Sequence, residues 1–391
     1  MKVTIVGAGP VGLLLSILLS KEHIVTILEK RKEDGRDHGL SISGNTVNTV
    51  LNYLNSLYPE NACVTMNNTM QQFRDLLLSW SDTPVSTVEI QHRLTEIAKE
   101  SGVTINYGAA VESINIITDS IIIGADGAHS VIRNVVFGDM KADEHNVQYM
   151  AQLKYITSGS ARPRKLISAM SYSFLNGLSG SDMVIDFESL APANFNNALT
   201  KPGTLHIPIP ESVYDLLSVN GRGKYGTHWY PEELKDIGNY QIAKLYRIIR
   251  RYQFSLNMRG GTMSDPKITV LPLTIYRSTD VVKILPLNKV VMLCGDSSSG
   301  LIYELGLNKG WLEAVQCAMA LENVNSSTLA ERLVRYAQFC QNLYEIKRDE
   351  ILAKHNKIMS VNKSTSTTGI VLTSGLGILL SRIFGGSIVS S

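Results

Sequence analysis

The 391-residue sequence predicts an α/β protein with a second, mostly antiparallel domain. A strand, a glycine-rich turn, a helix and another strand follow one another over residues 2–29, and further buried strands recur after residue 100. The middle of the chain instead shows period-two apolar patterns. The first two observations predict a parallel sheet flanked by helices, and the third predicts antiparallel strands with one buried face.

The N-terminal elements follow from short apolar runs. Lys2 to Val6 and Ile24 to Leu28 predict strands, and Pro10 to Ser20 predicts a buried helix between them. Val88 to Ser101 has helical apolar spacing, and Ser120 to Ile123 is a further buried strand. The parallel sheet therefore resumes after an intervening segment.

The remaining chain divides into a sheet region, a helical region and a tail. Residues 147–254 show period-two stretches such as Thr204-Leu205-His206-Ile207-Pro208, which predict an antiparallel sheet. Val290 to Cys294 predicts a buried strand, a helix is expected from about Lys309 to Leu321, and Ser327 to Lys357 is typical of charged, amphipathic helices.

Composition excludes several classes of protein. With 37 basic and 35 acidic residues the net charge is only +2, and no basic run interleaves with aromatic residues, so no nucleic-acid partner is predicted. A small-molecule substrate is expected instead. The four cysteines have neither disulfide nor zinc-ligand spacing, which predicts no metal and a cytoplasmic location. The N-terminus enters a strand at once and leaves no room for an export signal.

The tail from residue 361 to residue 391 is uncharged over most of its length. Its apolar groups, such as Gly377-Ile378-Leu379-Leu380, are diluted by Ser, Thr and Gly, which makes it too polar for a membrane span. We interpret it as a flexible tail with a short docking helix. Peripheral contact with a membrane is the alternative. The sequence does not predict an oligomeric state.

Gly7-Ala8-Gly9-Pro10-Val11-Gly12 matches the dinucleotide-binding pattern in its required context, after a strand and at the start of a helix. Gly7 permits the tight turn, Gly9 lets a pyrophosphate approach the backbone, and Gly12 allows close helix packing. Glu29 ends the second strand, where a carboxylate accepts ribose hydroxyls and repels a 2′-phosphate. A turn that merely needs glycine is the simpler alternative.

Two later segments extend this pattern. Gly124-Ala125-Asp126-Gly127-Ala128-His129-Ser130-Val131-Ile132-Arg133 follows one buried strand, Gly295-Asp296 follows another, and Gly306-Leu307-Asn308 opens the next helix. Together the three motifs resemble those of group A flavoprotein monooxygenases, the family with the para-hydroxybenzoate hydroxylase fold. The resemblance implies a discontinuous, Rossmann-like FAD-binding domain.

The resemblance also implies roles for individual residues. Asp126, Gly127, Ser130 and Arg133 would lie beside the flavin, and Asp296 would accept a hydrogen bond from the ribityl chain. The helix beginning near Gly306, Leu307 and Asn308 would direct its N-terminus at the flavin pyrimidine edge. Arg31 and Arg36 fall where the family has basic residues near the cofactor, and Lys30 and Arg31 are taken as candidate cofactor-binding residues. A solvated Lys30-Arg31-Lys32 face explains them equally well.

The chain departs from the family after Asp296. Ser297-Ser298-Ser299 stands where the family has two alanines and a histidine, and the following proline is missing. The segment from Val111 to Ile121 is also too short for the family's extra strand pair. No His, Tyr or Asp of the middle domain stands in a recognisable catalytic arrangement, so catalytic residues remain unassigned.

The implied reaction is hydroxylation of a small apolar or aromatic molecule. In the family, NADH or NADPH reduces FAD, dioxygen adds at the flavin C4a position, and the hydroperoxide transfers one oxygen atom. One alternative is a flavin-dependent reductase of the same fold acting on a polyprenyl-like chain, and another is a flavin-binding module without catalysis. A plain NAD dehydrogenase is disfavoured by the Asp-Gly and Gly-Asp segments.

The motifs give a division into domains. The FAD-binding domain is predicted to comprise residues 1–65, 86–146 and 268–325, the substrate domain residues 66–85 and 147–267, the C-terminal helices residues 326–360, and the tail residues 361–391.

Overall fold

The computed structural model describes residues 1–32, 39–58, 64–138, 141–159, 187–190, 200–219, 223, 227–258, 260–302, 304–323 and 327–353. The tail from residue 361 lies outside these residues. The chain forms two compact units. The first unit contains Met1–His145 and Thr274–Glu350, and the second contains Asn146–Leu273 and Ile351–Ser391.

The elements are numbered here in chain order. The strands are β1 (Lys2–Val6), β2 (Ile24–Glu29), β3 (Gly39–Ser41), β4 (Pro84–Ser86), β5 (Thr104–Tyr107), β6 (Ile121–Gly124), β7 (Lys141–Gly159), β8 (Phe187–Leu190), β9 (Thr200–Ile209), β10 (Gly261–Ser278), β11 (Val282–Leu285), β12 (Lys289–Leu293) and β13 (Ser299–Gly300). The helices are α1 (Pro10–Leu19), α2 (Gly44–Leu57), α3 (Val64–Trp80), α4 (Thr87–Glu100), α5 (Val131–Phe137), α6 (Glu211–Ser218), α7 (Pro231–Lys235), α8 (Tyr240–Met258), α9 (Glu304–Leu321) and α10 (329–353).

The first unit is built on a six-stranded sheet in the order β11-β12-β6-β1-β2-β5. Every pairing from β12 to β5 is parallel, and β11 adds an antiparallel edge. The central strands are apolar along their whole length because both faces are buried, as at Ile121, Ile122 and Ile123, which are at most 1% exposed. This confirms the predicted α/β class.

Helix α1 is enclosed by the sheet and by neighbouring helices. Its segment from Leu13 to Leu19 is buried along its full length. A helix that is apolar all round needs cover on every side. It packs against α4 and α9 as well as against the neighbouring strand β2.

Residues 66–85 are predicted to belong to the substrate domain, but they lie in the first unit. Helix α3 belongs to the first unit, and its residues Met70, Phe73, Leu77 and Trp80 are buried in the core of that unit. These residues recur every three or four positions and form one apolar stripe of the helix. Only this stripe, and not a motif, indicates where the segment packs.

The second unit contains a sheet of long antiparallel strands, in which β9 pairs with both β7 and β8. On β7, Ala151, Leu153 and Tyr155 alternate into a buried core. The predicted antiparallel sheet is therefore confirmed. The segment also contains helices that the sequence reading missed, above all α8, whose Ile242 and Leu245 enter the same core.

Three cysteines of the first unit are free and buried: Cys294, Cys317 and Cys340. Burial raises the pKa of each of these thiols well above its ordinary value. The hydroxyl of buried Tyr336 lies near them and donates to the carbonyl of Leu293 at 2.7 Å. These thiols are therefore protonated core groups. Among the described helices, none is long and apolar enough to cross a bilayer.

Gly203→Ala tests the packing of the second unit. A Cβ at Gly203 would lie 2.3 Å from the Tyr155 ring, so we expect the free energy of unfolding to fall by about 3 kcal/mol. Chemical unfolding measures the loss. The same substitution in a Tyr155→Leu background should cost clearly less, because the clashing ring is gone. Equal losses in the two backgrounds would contradict the packing described.

Candidate functional site

The predicted motifs begin at one level of the parallel sheet. Val6 of β1 is in register with Gly124 of β6, and Gly124 is in register with Leu293 of β12. The three loops therefore leave the same edge side by side. Chain connections also diverge at β1, which has β2 on one side and β6 on the other. Open α/β sheets bind ligands in the crevice at such a switch point.

The glycines of the first loop have separate roles. Gly7 has φ +109°, and a Cβ there would lie 2.5 Å from the Ala125 carbonyl oxygen. A Cβ at Gly12 would lie 2.1 Å from the Gly7 carbonyl oxygen. Gly9 differs, because a Cβ there would meet no atom within 4 Å. Packing thus requires Gly7 and Gly12, whereas Gly9 leaves open space beside the loop.

The N-terminus of α1 can attract an anion. Gly9 is its N-cap, Pro10 is its first residue, no side chain caps it, and its first turn has no acidic residue. The first N–H groups of a helix lack intrahelical partners and form the positive end of its dipole. A phosphate group beside Gly9 would meet both features. Val11, in the same first turn, packs closely against Gly310. A Cβ on Gly310 would lie only 2.6 Å from the Cγ2 atom of Val11.

Glu29 is held against the glycine loop. Its Oε2 accepts from the Ala8 N–H at 2.8 Å, and its Oε1 accepts from the Arg31 N–H at 2.9 Å. The side chains of Lys30 and Arg31 are exposed, so the contact that Arg31 contributes is its backbone N–H. Gln91 of α4, which the sequence reading missed, donates to the Ala8 carbonyl at 3.1 Å.

Asp126 joins two of the motifs. Its Oδ2 accepts from the Val131 N–H at 2.6 Å at the start of α5, and its Oδ1 accepts from the Ser297 hydroxyl at 3.0 Å. The same hydroxyl accepts from the Gly127 N–H at 3.0 Å. These contacts give Asp126 a structural role, and its role beside a cofactor stays a prediction.

Arg133 reinforces the same junction. It is 1% exposed, and its guanidinium donates to the carbonyls of Ala128 at 2.7 Å and Ser297 at 3.1 Å. The guanidinium also lies 5.1 Å from the ring centroid of Tyr276, whose hydroxyl donates to the Asp296 carbonyl at 2.8 Å. The backbone on both sides of the crevice is therefore fixed by buried side chains.

Asp296 is the exception in this network. Its carboxylate is partly buried, and no hydrogen bond or ion pair joins it to another residue in the described part of the chain. Burial, together with the charge of Glu313, raises the pKa of this carboxyl group, and the charges of Lys309 and Arg133 oppose the rise. A Cβ at Gly306 would lie 3.2 Å from its Oδ1. Asp296 thus offers an acceptor for a donor that the described part of the chain does not supply.

Helix α9 begins at Glu304, earlier than the predicted start near Lys309. Gly306, Leu307 and Asn308 consequently lie in its first turns. Leu307 packs in the apolar core, and the Asn308 side chain spans the entry to α2. Its Oδ1 accepts from the Ser43 N–H at 2.8 Å, and its Nδ2 donates to the Ser41 carbonyl at 2.9 Å. The side chains of Leu307 and Asn308 are structural, and a cofactor contact through their backbone stays a prediction.

A buried ion pair lies behind the Gly-Asp motif. Lys309 and Glu313, one turn apart on α9, are both 0% exposed, and their charged atoms are 3.0 Å apart. The sequence reading missed this pair, although its i,i+4 spacing is visible. Glu313 Oε2 accepts from the Gly295 N–H and the Ser298 hydroxyl, each at 2.7 Å. Removing one member would leave a buried charge unpaired, at a cost of about 3–5 kcal/mol.

Solved structures share this fold. The tetracycline destructase Tet(51) has a TM-score of 0.54 and 15% identity, over 93% of this chain and 96% of that chain. CmlS, a flavin-dependent halogenase, has a TM-score of 0.56 and 13% identity, over 88% of this chain and 62% of that chain. CtdE, solved with FAD and a substrate, has a TM-score of 0.54 and 12% identity, over 89% of this chain and 88% of that chain.

The chain therefore shares the fold of these proteins. The likeness confirms the fold class that the three motifs predicted. Comparisons with family profiles and with curated sequences found no match.

Gly9→Ala and Gly12→Ala form a matched pair that separates binding from packing. Gly12→Ala should lower the free energy of unfolding by about 3 kcal/mol, because its Cβ meets backbone. Gly9→Ala should change it by less than about 0.5 kcal/mol and weaken FAD binding about tenfold. Chemical unfolding without cofactor and a fluorescence titration with FAD measure the two effects. A Gly9→Ala variant with unchanged FAD affinity would contradict the assigned role of the open space.

Proposed function

We propose that this chain binds FAD and is an FAD-dependent oxidoreductase, and that its reaction is an NAD(P)H- and O2-dependent monooxygenation. The observation that carries the proposal is the meeting of the loops after β1, β6 and β12 at the switch point, with the available carboxylate of Asp296 among them. The fold shared with flavin-dependent proteins supports it.

The residues present fit the cofactor. The α1 N-terminus and the open side of Gly9 would take the pyrophosphate. Glu29 still has a free lone pair on each oxygen for ribose hydroxyls, and its charge disfavours a 2′-phosphate at this position. Asp296 would accept from the ribityl chain. The Glu29 side chain is already held by two backbone N–H groups, and the Asp296 carbonyl is held by Tyr276, so little ordering of these residues' backbone would accompany binding.

The isoalloxazine ring supplies the redox chemistry when FAD is bound, and the protein supplies position, polarity and exclusion of water. The N-terminus of α9 presents N–H groups and a positive dipole end close to Asp296, which favour negative charge. Ser297, Arg133 and Tyr276 hold the backbone that borders this position. The acceptor of the oxygen atom is proposed, from the resemblance alone, to be a small apolar or aromatic molecule.

Identification of the cofactor is the first test. Purified protein should be yellow, and denaturation should release FAD, recognisable by its absorption spectrum and mass. A colourless protein that carries NAD would overturn the proposal.

The second test concerns the reaction. NADH or NADPH should reduce the bound flavin anaerobically, and air should reoxidise it with consumption of oxygen. Product formation from a candidate substrate under strict anaerobiosis would instead indicate a reductase. A flavin that neither nicotinamide reduces, with any ligand present, would indicate a binding module.

Asp296→Asn should act in opposite directions on stability and on binding. Removing a desolvated charge without a described partner should leave the FAD-free protein as stable as before or more stable. FAD affinity should fall about tenfold, equivalent to about 1.4 kcal/mol, because a ribityl donor loses a charged acceptor. Unfolding of the FAD-free protein and FAD titration measure the two effects. Loss of stability with unchanged affinity would show that Asp296 serves the fold alone.

A further inference from the structure

We propose that Lys309 and Glu313 are positioning residues of the FAD site, which together hold the serine turn (residues 295–299) and the Asp296 that it carries. This inference rests on the proposed function. It gives a specific role to the segment in which the chain departs most from the family it resembles, since neither Lys309 nor the serines belong to the expected motif.

The contacts of Lys309 all lead to the serine turn or to Glu313. Its Nζ lies 3.1 Å from the Gly295 carbonyl oxygen and 2.7 Å from both the carbonyl and the hydroxyl oxygen of Ser299. It also lies 3.3 Å from the Ser298 hydroxyl. An ammonium group has three donors, so this set of acceptors saturates it. One cation thus binds both ends of the turn.

Glu313 binds the same turn at a second backbone group, the Gly295 N–H. Its carboxylate accepts from the Gly295 N–H, while Lys309 contacts the Gly295 carbonyl, so both polar groups of this one residue are bound by the pair. Gly295 adopts φ +70°, a left-handed conformation that the turn needs. The Ser298 N–H closes the turn by donating to the Gly295 carbonyl at 3.0 Å.

The serines account for the altered motif. Ser297 binds Asp126, Ser298 binds Glu313, and Ser299 binds Lys309. The two alanines of the family pattern would have no side-chain group to make such hydrogen bonds. The turn that lacks the family's histidine and proline is therefore held by hydrogen bonds to a buried ion pair. Among the turn residues that have side chains, only Asp296 lacks a side-chain hydrogen bond within the described part of the chain.

Removing one member of the ion pair changes the charge beside the proposed flavin position. This change in charge distinguishes positioning of the cofactor from simple support of the fold. The pair is neutral overall, but removal of either member leaves the opposite charge beside Gly295. Lys309→Met leaves a carboxylate, which would disfavour the anionic reduced flavin. Glu313→Gln leaves an ammonium group, which would favour it. The two variants should therefore shift the flavin midpoint potential in opposite directions.

The experiment uses Lys309→Met, Glu313→Gln and a control, Cys317→Ala, in the full-length chain. Cys317 is a buried residue of the same helix, 0% exposed and without a hydrogen bond to the serine turn among the described residues. Its truncation should reduce stability without affecting the site. For each variant, unfolding, FAD affinity and the midpoint potential are measured at one pH, under conditions where the protein is folded.

We expect both charge variants to bind FAD at least tenfold more weakly, with the midpoint potential lower for Lys309→Met and higher for Glu313→Gln than for wild type. Cys317→Ala should match wild type in affinity and potential. Charge variants that lose stability alone, or that shift the potential in one common direction, would overturn the inference. If a variant does not fold, Ser299→Ala, which removes one contact of Lys309, should give a smaller loss of FAD affinity, and unchanged affinity would overturn the inference.

Failure of the proposed function gives a different result. If the wild-type protein itself binds no FAD, the function proposed above fails. If wild type binds FAD and the charge variants match it in affinity and potential, only the role of Lys309 and Glu313 fails.

Discussion

The register of the parallel strands is the constraint on which the candidate site depends. Strands β1, β6 and β12 are buried on both faces, so their apolar side chains determine how they align, and their carboxyl ends consequently coincide. The loops that follow carry little apolar surface, yet they meet because the strands place them. Val11 packs against Gly295 and Gly310, which joins the first helix to the last motif. Packing of the apolar core thus determines where the polar groups of the three loops lie.

Much of this arrangement could be predicted from local sequence, because a tight turn needs particular residues. Gly7, Gly12 and Glu29 lie within one strand-helix-strand unit, and their roles follow from their spacing. The contacts of Asn308 with Ser41 and Ser43 join segments far apart in the chain, and no local pattern contains that information. Helix α8 could have been predicted from local sequence, because its apolar residues recur at helical spacing. The period-two patterns that precede it led to the prediction of strands for the whole segment.

In the part of the chain that the structure describes, the site combines one carboxylate that has no hydrogen-bond partner with several polar groups that have partners. Buried ion pairs contribute little net stability, because desolvation offsets their attraction, and they are better understood as devices that select one conformation. The contacts of Lys309 and Glu313 fit that view, since they specify a single geometry for a turn with a left-handed glycine. Asp296 has the opposite character, because no described residue binds its carboxylate. A rigid surround and one available acceptor are what a preorganised binding site requires.

The buried cysteines give the folded protein a further property. A thiol reacts as its thiolate and only where a reagent can reach it, and Cys294, Cys317 and Cys340 meet neither condition in the native state. Cys294 directly follows β12, the other two lie on α9 and α10, and all three belong to the core of the first unit. Their alkylation rate would consequently report how often this core opens, residue by residue and without an added label.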